Sequence, residues 1–200
     1  MTHTVFNPRS PEIARYCAAV HAAEIPDGFL PSLGQRFLSL LYQHFARAEN
    51  TFLVVALDDG DSVLGFLCGS LGTGGVYKSF VKAYGFRAVA ALFPKLLMPS
   101  VLRRIFETLA YPSRTDDLEL PDAEILNFCV RADSQGAGIG RALFEASMEA
   151  FRQRGVDAIR IVTGERQQSA QRFYEKVGAS LHTTFSVHGQ EKSLAYVYQL

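Results

Sequence analysis

The stretch from Glu124 to Gly155, EILNFCVRADSQGAGIGRALFEASMEAFRQRG, constrains the fold of this chain more than any other. It opens as an apolar run, Ile125 to Val130, in which Phe128 and Val130 are strong strand formers. It breaks at Ala132-Asp133-Ser134 and tightens through Gly136, Gly138 and Gly140. From there Ile139, Leu143, Phe144, Met148 and Phe151 recur at helical spacing, and Gly155 follows as a stop. The pattern predicts a strand, a glycine turn and a helix. The first amides of such a helix lack intrahelical partners and carry a positive partial charge. Glycines at the turn keep side chains away from those donors, so the turn is expected to bind an anion, best a phosphate or pyrophosphate.

Two familiar phosphate fingerprints fail on residue identity. A P-loop ends Gly-Lys-Ser/Thr, whereas Ile139-Gly140-Arg141 stands here. A Rossmann turn needs its third glycine where Arg141 sits, and an acid near the end of the next strand, whereas Asp157 falls at the start of one. The residues spell Gln-x-x-Gly-x-Gly instead, from Gln135 through Gly138 to Gly140. One strand further on lies a second motif, the helix QQSAQRFYEKVGA from Gln167 to Ala179.

Together these motifs resemble the GNAT superfamily of N-acetyltransferases. The first looks like its acetyl-CoA loop. The second is similar to its Asn-x-x-Ala-x-x-hydrophobic-Tyr helix, with Gln167, Ala170, Phe173, Tyr174 and Gly178 in the matching places. The resemblance covers about residues 2–71 and 122–200. Three positions depart from it: Gln167 replaces the usual asparagine, Ala132 a common proline, and Ala137 a frequent basic residue. The last leaves backbone donors and Arg141 to hold a pyrophosphate, which implies weaker or less salt-sensitive cofactor binding.

The order of elements agrees. Thr2 to Phe6 alternates as a short strand. Ser10-Pro11-Glu12 then supplies an N-cap, a first-turn proline and an early acid for the helix that follows. Ile25 to Leu30 reads as a loop, and a second helix is expected from about Ser32 to Ala48. Strands Thr51 to Leu57 and Ser62 to Leu71 flank the hairpin signal Asp58-Asp59-Gly60-Asp61. Beyond the organising stretch come a buried strand, Ala158 to Thr163, the Gln167 helix and two closing strands turning at Gly189-Gln190. The expected class is α/β (α+β): a GNAT-type mixed, mostly antiparallel sheet flanked by helices, in a single domain spanning 1–200. A helical insertion, 72–121, lies between the third and fourth strands. Its residues 76–111 hold six cations against one acid, Glu107, a net +5 in a chain of net charge zero. Pro94 and Pro99 must kink or divide its helices. It reads either as a packed helical layer with a solvated basic edge, or as a cover for the active site that receives an anionic acceptor or a membrane surface.

Zero net charge gives no support to general nucleic-acid binding. The first residues lack a signal peptide's basic and apolar regions, and no apolar run reaches spanning length. Cys17, Cys68 and Cys129 are odd in number, widely spaced and apolar in context, as buried thiols in a reducing compartment would be. A cytoplasmic protein is expected, monomeric or homodimeric.

The resemblance implies acetyl transfer from acetyl-CoA to an amine by direct attack, with no covalent intermediate and no metal. It implies backbone contacts to the pantetheine arm from Phe128, Cys129 and Val130, with an amide there polarising the thioester. The turn Gln135, Gly136, Ala137, Gly138, Ile139, Gly140 and Arg141 would hold the pyrophosphate. Gln167, Ala170 and Phe173 would complete the cofactor cleft. Tyr174 would protonate the departing thiolate, since a phenol pKa of about 10 keeps the proton until the leaving group needs it. Glu124, at the start of the organising strand, is the favoured base, ahead of Glu119 and Asp122; each also reads as an exposed carboxylate. His21, His44, His182 and His188 show no metal-ligand spacing and read as surface or packed residues. The stretch Gly28 to Tyr42 resembles members linked with surface-polysaccharide and amino-sugar metabolism, which suggests an amino sugar or nucleotide-linked amino sugar as acceptor. A non-catalytic acyl-CoA-binding module and a protein N-acetyltransferase are the alternatives.

Overall fold

A computed structural model describes residues 2–93, 95–109, 119–186 and 192–200. Its centre is a seven-stranded sheet in the order β1-β2-β3-β4-β5-β7-β6. The strands are β1 (His3–Phe6), β2 (Thr51–Leu57), β3 (Val63–Ser70), β4 (Glu124–Val130), β5 (Ala158–Gly164), β6 (Ser180–Ser186) and β7 (Lys192–Gln199). Every pairing is antiparallel except β4 with β5. The helices are α1 (Pro11–Glu24), α2 (Phe29–Ser32), α3 (Gln35–Phe45), α4 (Val76–Leu92), α5 (Pro99–Leu109), α6 (Ile139–Arg152) and α7 (Gln168–Lys176). This is the mixed, mostly antiparallel architecture expected, with α4 and α5 as the insertion between the third and fourth strands.

Local chemistry explains the boundaries. Ser10 Oγ accepts from the amides of Glu12 and Ile13, and Pro11 opens α1. Asp58 Oδ1 accepts from the amides of Gly60 and Ser62, both at 2.9 Å, and closes the β2–β3 turn. The second helix departs from expectation. Gly34 adopts φ 100°, which no helix accommodates, so the segment divides into α2 and α3, and part of the expected loop becomes α2. Pro99 opens α5 rather than kinking a helix. Pro94, His188 and the Gly189-Gln190 turn lie outside the described residues.

The sheet carries a core on each face. On one, Leu38, Leu41, Tyr42 and Phe45 of α3 pack over Leu53, Val55 and Phe66 together with Cys17, Cys68 and Cys129, all three free and buried. On the other, Leu143, Met148 and Phe151 of α6 cover Phe52, Val54, Leu67 and Ile161. The insertion joins the first layer through Val76, Phe80, Ala88 and Leu92, with the Phe80 ring edge-on to Phe37 at 5.5 Å.

The functional opening comes from a fork in this sheet. β4 and β5 pair only at Glu124↔Arg160 and Ile125↔Ile161. At the next residue the β3–β4 register slips, placing Leu126 as an extra residue opposite Cys68 and Gly69. Such a bulge bends its strand. β5 stays paired with β7 as far as Gly164, so from Leu126 to Val130 the β5-facing edge of β4 has no strand partner among the described residues. Glu124 and Arg160 sit at the root of the fork as a buried ion pair, 2.8 Å from Nε to Oε2.

Candidate active site

The glycine loop leaves β4 through a short 3₁₀ turn, Ala132–Ser134. Gln135 Nε2 donates back to the Val130 carbonyl at 3.0 Å and ties the loop to the strand it left. Gly136 and Gly138 both take positive φ, 80° and 81°, and a Cβ at either would meet nothing within 4 Å. Positive φ there favours glycine, and the open space keeps the loop backbone approachable. Gly138 caps α6, and the first helical bond runs from Ala142 N–H to Gly138 O at 3.0 Å. The amides of Ile139, Gly140 and Arg141 precede that bond and have no intrahelical acceptor.

Below these amides lies a cleft of about 450 Å³ whose walls include Phe128, Val130, Gly140, Ala170, Phe173 and Tyr174. Gln135, Gly136, Gly138 and Arg141 form its rim. A Cβ on Gly140 would lie 3.6–3.8 Å from Phe128, Val130 and Phe173, inside the cleft floor. Arg141 is turned along α6 toward Glu145, Nε to Oε1 2.8 Å, in an exposed pair. Lys176 and Ser169 of α7 also line the cleft. Lys176 was not anticipated, and it supplies near the loop the cation that Ala137 lacks. Its spacing from Ser169 and Phe173 puts all three on one helix face, which was the available signal.

Other expected cofactor residues face elsewhere. The Ile139 side chain is buried in the α6 core, and Ala137 is exposed off the cleft wall, so each offers backbone only. Cys129 points into the α1–α3 core, where burial and then the charge of Glu24 push its thiol up to about 12. Gln167 Oε1 accepts from Thr163 Oγ1 at 2.7 Å and from Gly164 N–H at 3.0 Å, so it braces the end of β5.

A second cavity, of about 400 Å³, opens through the fork on the other side of β4. Its polar lining includes His21, Asp27, Tyr77, Asn127, Thr163 and Gln167. Arg104 of α5 also reaches it, with the guanidinium 4.8 Å from the centre of the Phe29 ring. Phe128, Ala170 and Tyr174 line both cavities. Of these only Tyr174 carries an exchangeable side-chain proton. Its ring is 6% exposed and packs among Phe128, Phe173 and Tyr196; burial pushes the phenol well above its ordinary value of 10.

His21 was expected at the surface or packed. It is buried, on the α1 stripe with Ala14, Cys17 and Ala18, and its Nδ1 is 2.7 Å from the Tyr42 hydroxyl. Burial lowers its pKa to about 4, so the imidazole is neutral at physiological pH.

Glu124 is not the accessible carboxylate the sequence suggested. It is buried in an ion pair with Arg160, and it does not line either cavity. Its charge reaches Tyr77, whose phenol is raised first by burial and then by Glu124. Glu119 and Asp122 are exposed and off both walls.

Residues 101–179 match the sequence model of the acetyltransferase (GNAT) family. No curated protein matches the chain. Among solved structures, a GNAT-family protein from Desulfovibrio desulfuricans is similar with a TM-score of 0.65 at 15% identity, over 100% of this chain and 99% of that one. Aminoglycoside 6'-acetyltransferase type Ii gives 0.62 at 11% identity, over 100% and 96%. A Bacillus anthracis protein solved in complex with acetyl coenzyme A gives 0.51 at 13% identity, over 80% and 68%. The structural likenesses show the fold, and the sequence match spans both the glycine loop and the Tyr174 helix. The whole chain thus has the fold of the GNAT acetyltransferases, and residues 101–179 carry that family's sequence pattern.

Proposed function

We propose that the protein is an acyl-CoA-dependent N-acetyltransferase that moves an acetyl group from acetyl-CoA to the primary amine of a small molecule. The observation that carries this reading is the position of Tyr174, on the wall shared by the two cavities where β4 and β5 part. A cofactor entering one cavity and an amine entering the other meet at that residue.

The cleft fits the proposed cofactor. Amides of Ile139, Gly140 and Arg141 offer donors for a diphosphate, Lys176 adds a cation, and the Gly136 and Gly138 positions leave the approach open. The edge of β4 from Leu126 to Val130, which β5 does not pair, offers backbone groups to an extended amide-bearing arm, as an added strand would use them. Acetyl-CoA supplies the acetyl group, activated as a thioester. An amide on that β4 edge is placed to stabilise negative charge developing on the carbonyl oxygen. Tyr174 holds its proton at neutral pH and releases it to the departing sulfur.

On the acceptor side, Asp27 at the rim attracts an ammonium group, and neutral His21, in the tautomer whose Nδ1–H donates to the Tyr42 hydroxyl, keeps Nε2 to accept a hydrogen bond from the amine or from a water that carries its proton outward. Glu124 is assigned a positioning role instead: with Arg160 it pins the root of the fork. The hydroxyl- and amide-bearing lining from Tyr77, Asn127 and Thr163 suits a polyhydroxylated amine, so an amino sugar or a nucleotide-linked amino sugar is the proposed acceptor class.

The test is thiol release from acetyl-CoA against a panel of amino sugars, aminoglycosides, polyamines and peptides. Turnover with amino sugars, and a loss of roughly a hundredfold or more in kcat for Tyr174→Phe with CoA affinity kept, is the expected result. Equal turnover by Tyr174→Phe would remove the proposed acid. Turnover confined to peptides would move the acceptor class to proteins. CoA binding without turnover on any amine would leave a binding module.

A further inference from the structure

The insertion hides only part of its apolar surface. Of the large hydrophobic residues exposed among the described residues, most belong to the insertion: Val81, Phe86 and Val89 of α4, Phe93, Leu97 and Met98 of the connection after it, and Leu102 of α5. Phe86 is 89% exposed, Leu97 73% and Phe93 67%. Lys78, Lys82, Phe86, Val89 and Phe93 follow one another at i, i+4, i+8, i+11 and i+15, so two cations and three exposed apolar side chains share one helix stripe. The opposite stripe, with Val76, Phe80 and Ala88, holds α4 to the core. The exposed face is thus firmly backed.

A second observation lies at its flank. A groove of about 660 Å³ between α4 and the α1–α3 layer is lined by Arg15, Arg36 and Arg87 together with Phe86, and no carboxylate lines it. Arg15 has Glu12 at 3.7 Å, with both side chains largely exposed. Three guanidiniums around one groove form a receptor for phosphate groups.

We infer that the α4 face is a docking surface for an anionic lipid bilayer, with Phe86, Val89 and Phe93 entering the interfacial layer and lipid phosphates seated in the Arg15–Arg36–Arg87 groove. Exposed apolar side chains interleaved with cations are the composition of an interfacial helix. No helix among the described residues is long and apolar enough to cross a membrane, so the contact is peripheral. Charge chooses between a bilayer and a second copy of the chain. A two-fold self-contact sets the same patch against itself and would bring Lys78, Lys82 and the arginines of each copy together. An anionic surface neutralises them.

Co-sedimentation of the full chain with vesicles is the test, comparing phosphatidylcholine alone with an equal mixture of phosphatidylcholine and phosphatidylglycerol. The protein is expected to pellet with the mixed vesicles at low salt, to be released at high salt, and to ignore the neutral ones. Arg36→Glu/Arg87→Glu should lower partitioning about 25-fold or more, roughly fivefold for each cation lost. Phe86→Ser/Phe93→Ser should weaken it while the melting temperature holds, because both side chains are exposed. Absence from the mixed-vesicle pellet at low salt overturns the inference. So does binding unchanged in both double variants, or a dimer in light scattering that Phe86→Ser/Phe93→Ser dissolves without any vesicle binding. Thiol release with soluble amines is read in parallel, and its failure would count against the proposed reaction and not against the docking face.

Discussion

Burial of single polar side chains sets the residue-scale behaviour of this protein. His21 is the clearest case. Its folded pKa, about 4, lies below the ordinary 6.5, so the folded state refuses a proton that the unfolded chain accepts. Its contribution is therefore complete above pH 6.5 and is lost as the pH falls toward 4, by about 3 kcal/mol in total. His44, lowered mainly by burial, acts in the same direction. Urea unfolding of the wild type and His21→Gln between pH 6.5 and 4 checks this: the stability gap between them should shrink as the pH drops. A gap that stays constant would mean His21 takes up its proton in the folded state. Ser147 is the complementary case. Its Oγ is buried in α6 with no hydrogen-bond partner among the described residues. Ser147→Ala removes an unpaired hydroxyl and should raise stability by about 1 kcal/mol, read as a higher melting temperature.

At the scale of elements, the fork between β4 and β5 decides where chemistry can occur, and the Glu124–Arg160 pair is its hinge pin. Arg160→Met strands a buried carboxylate and should cost about 3–5 kcal/mol; pairing it with Glu124→Gln should restore part of that, both measured by denaturant unfolding. A double variant no more stable than Arg160→Met would deny the coupling. The glycine turn, α6, the β2–β3 hairpin and the capped α1 were legible because each rests on local chemistry: positive φ, an N-cap or helical spacing. The fork was not. It depends on one extra residue, Leu126, in an apolar run whose composition looks continuous, and on how few rungs β4 shares with β5. For the same reason Glu124 looked accessible in the sequence: its partner, Arg160, is 36 positions away. The break at Gly34 could have been read, since a glycine interrupts the helical stripe there. Lys176 and His21 were hidden for a different reason, because helical phase places a residue on a face without saying which cavity that face meets.

For the molecule as a whole, the two cores hold the sheet rigid while the fork opens it at one end. The glycine loop and α7 supply one side of that opening, and α1, α2 and the insertion supply the other. The account depends on the cleft beneath the α6 amides accepting the diphosphate end of CoA and its pantetheine arm. Calorimetric titration of CoA into wild type and Gly140→Val tests that directly, because a side chain there enters the cleft floor beside Phe128, Val130 and Phe173 while the core beneath is untouched. The account predicts saturable one-to-one binding by the wild type and a loss of at least tenfold in affinity for Gly140→Val at an unchanged melting temperature. No binding heat from the folded wild type, or equal affinity in the two proteins, would contradict it.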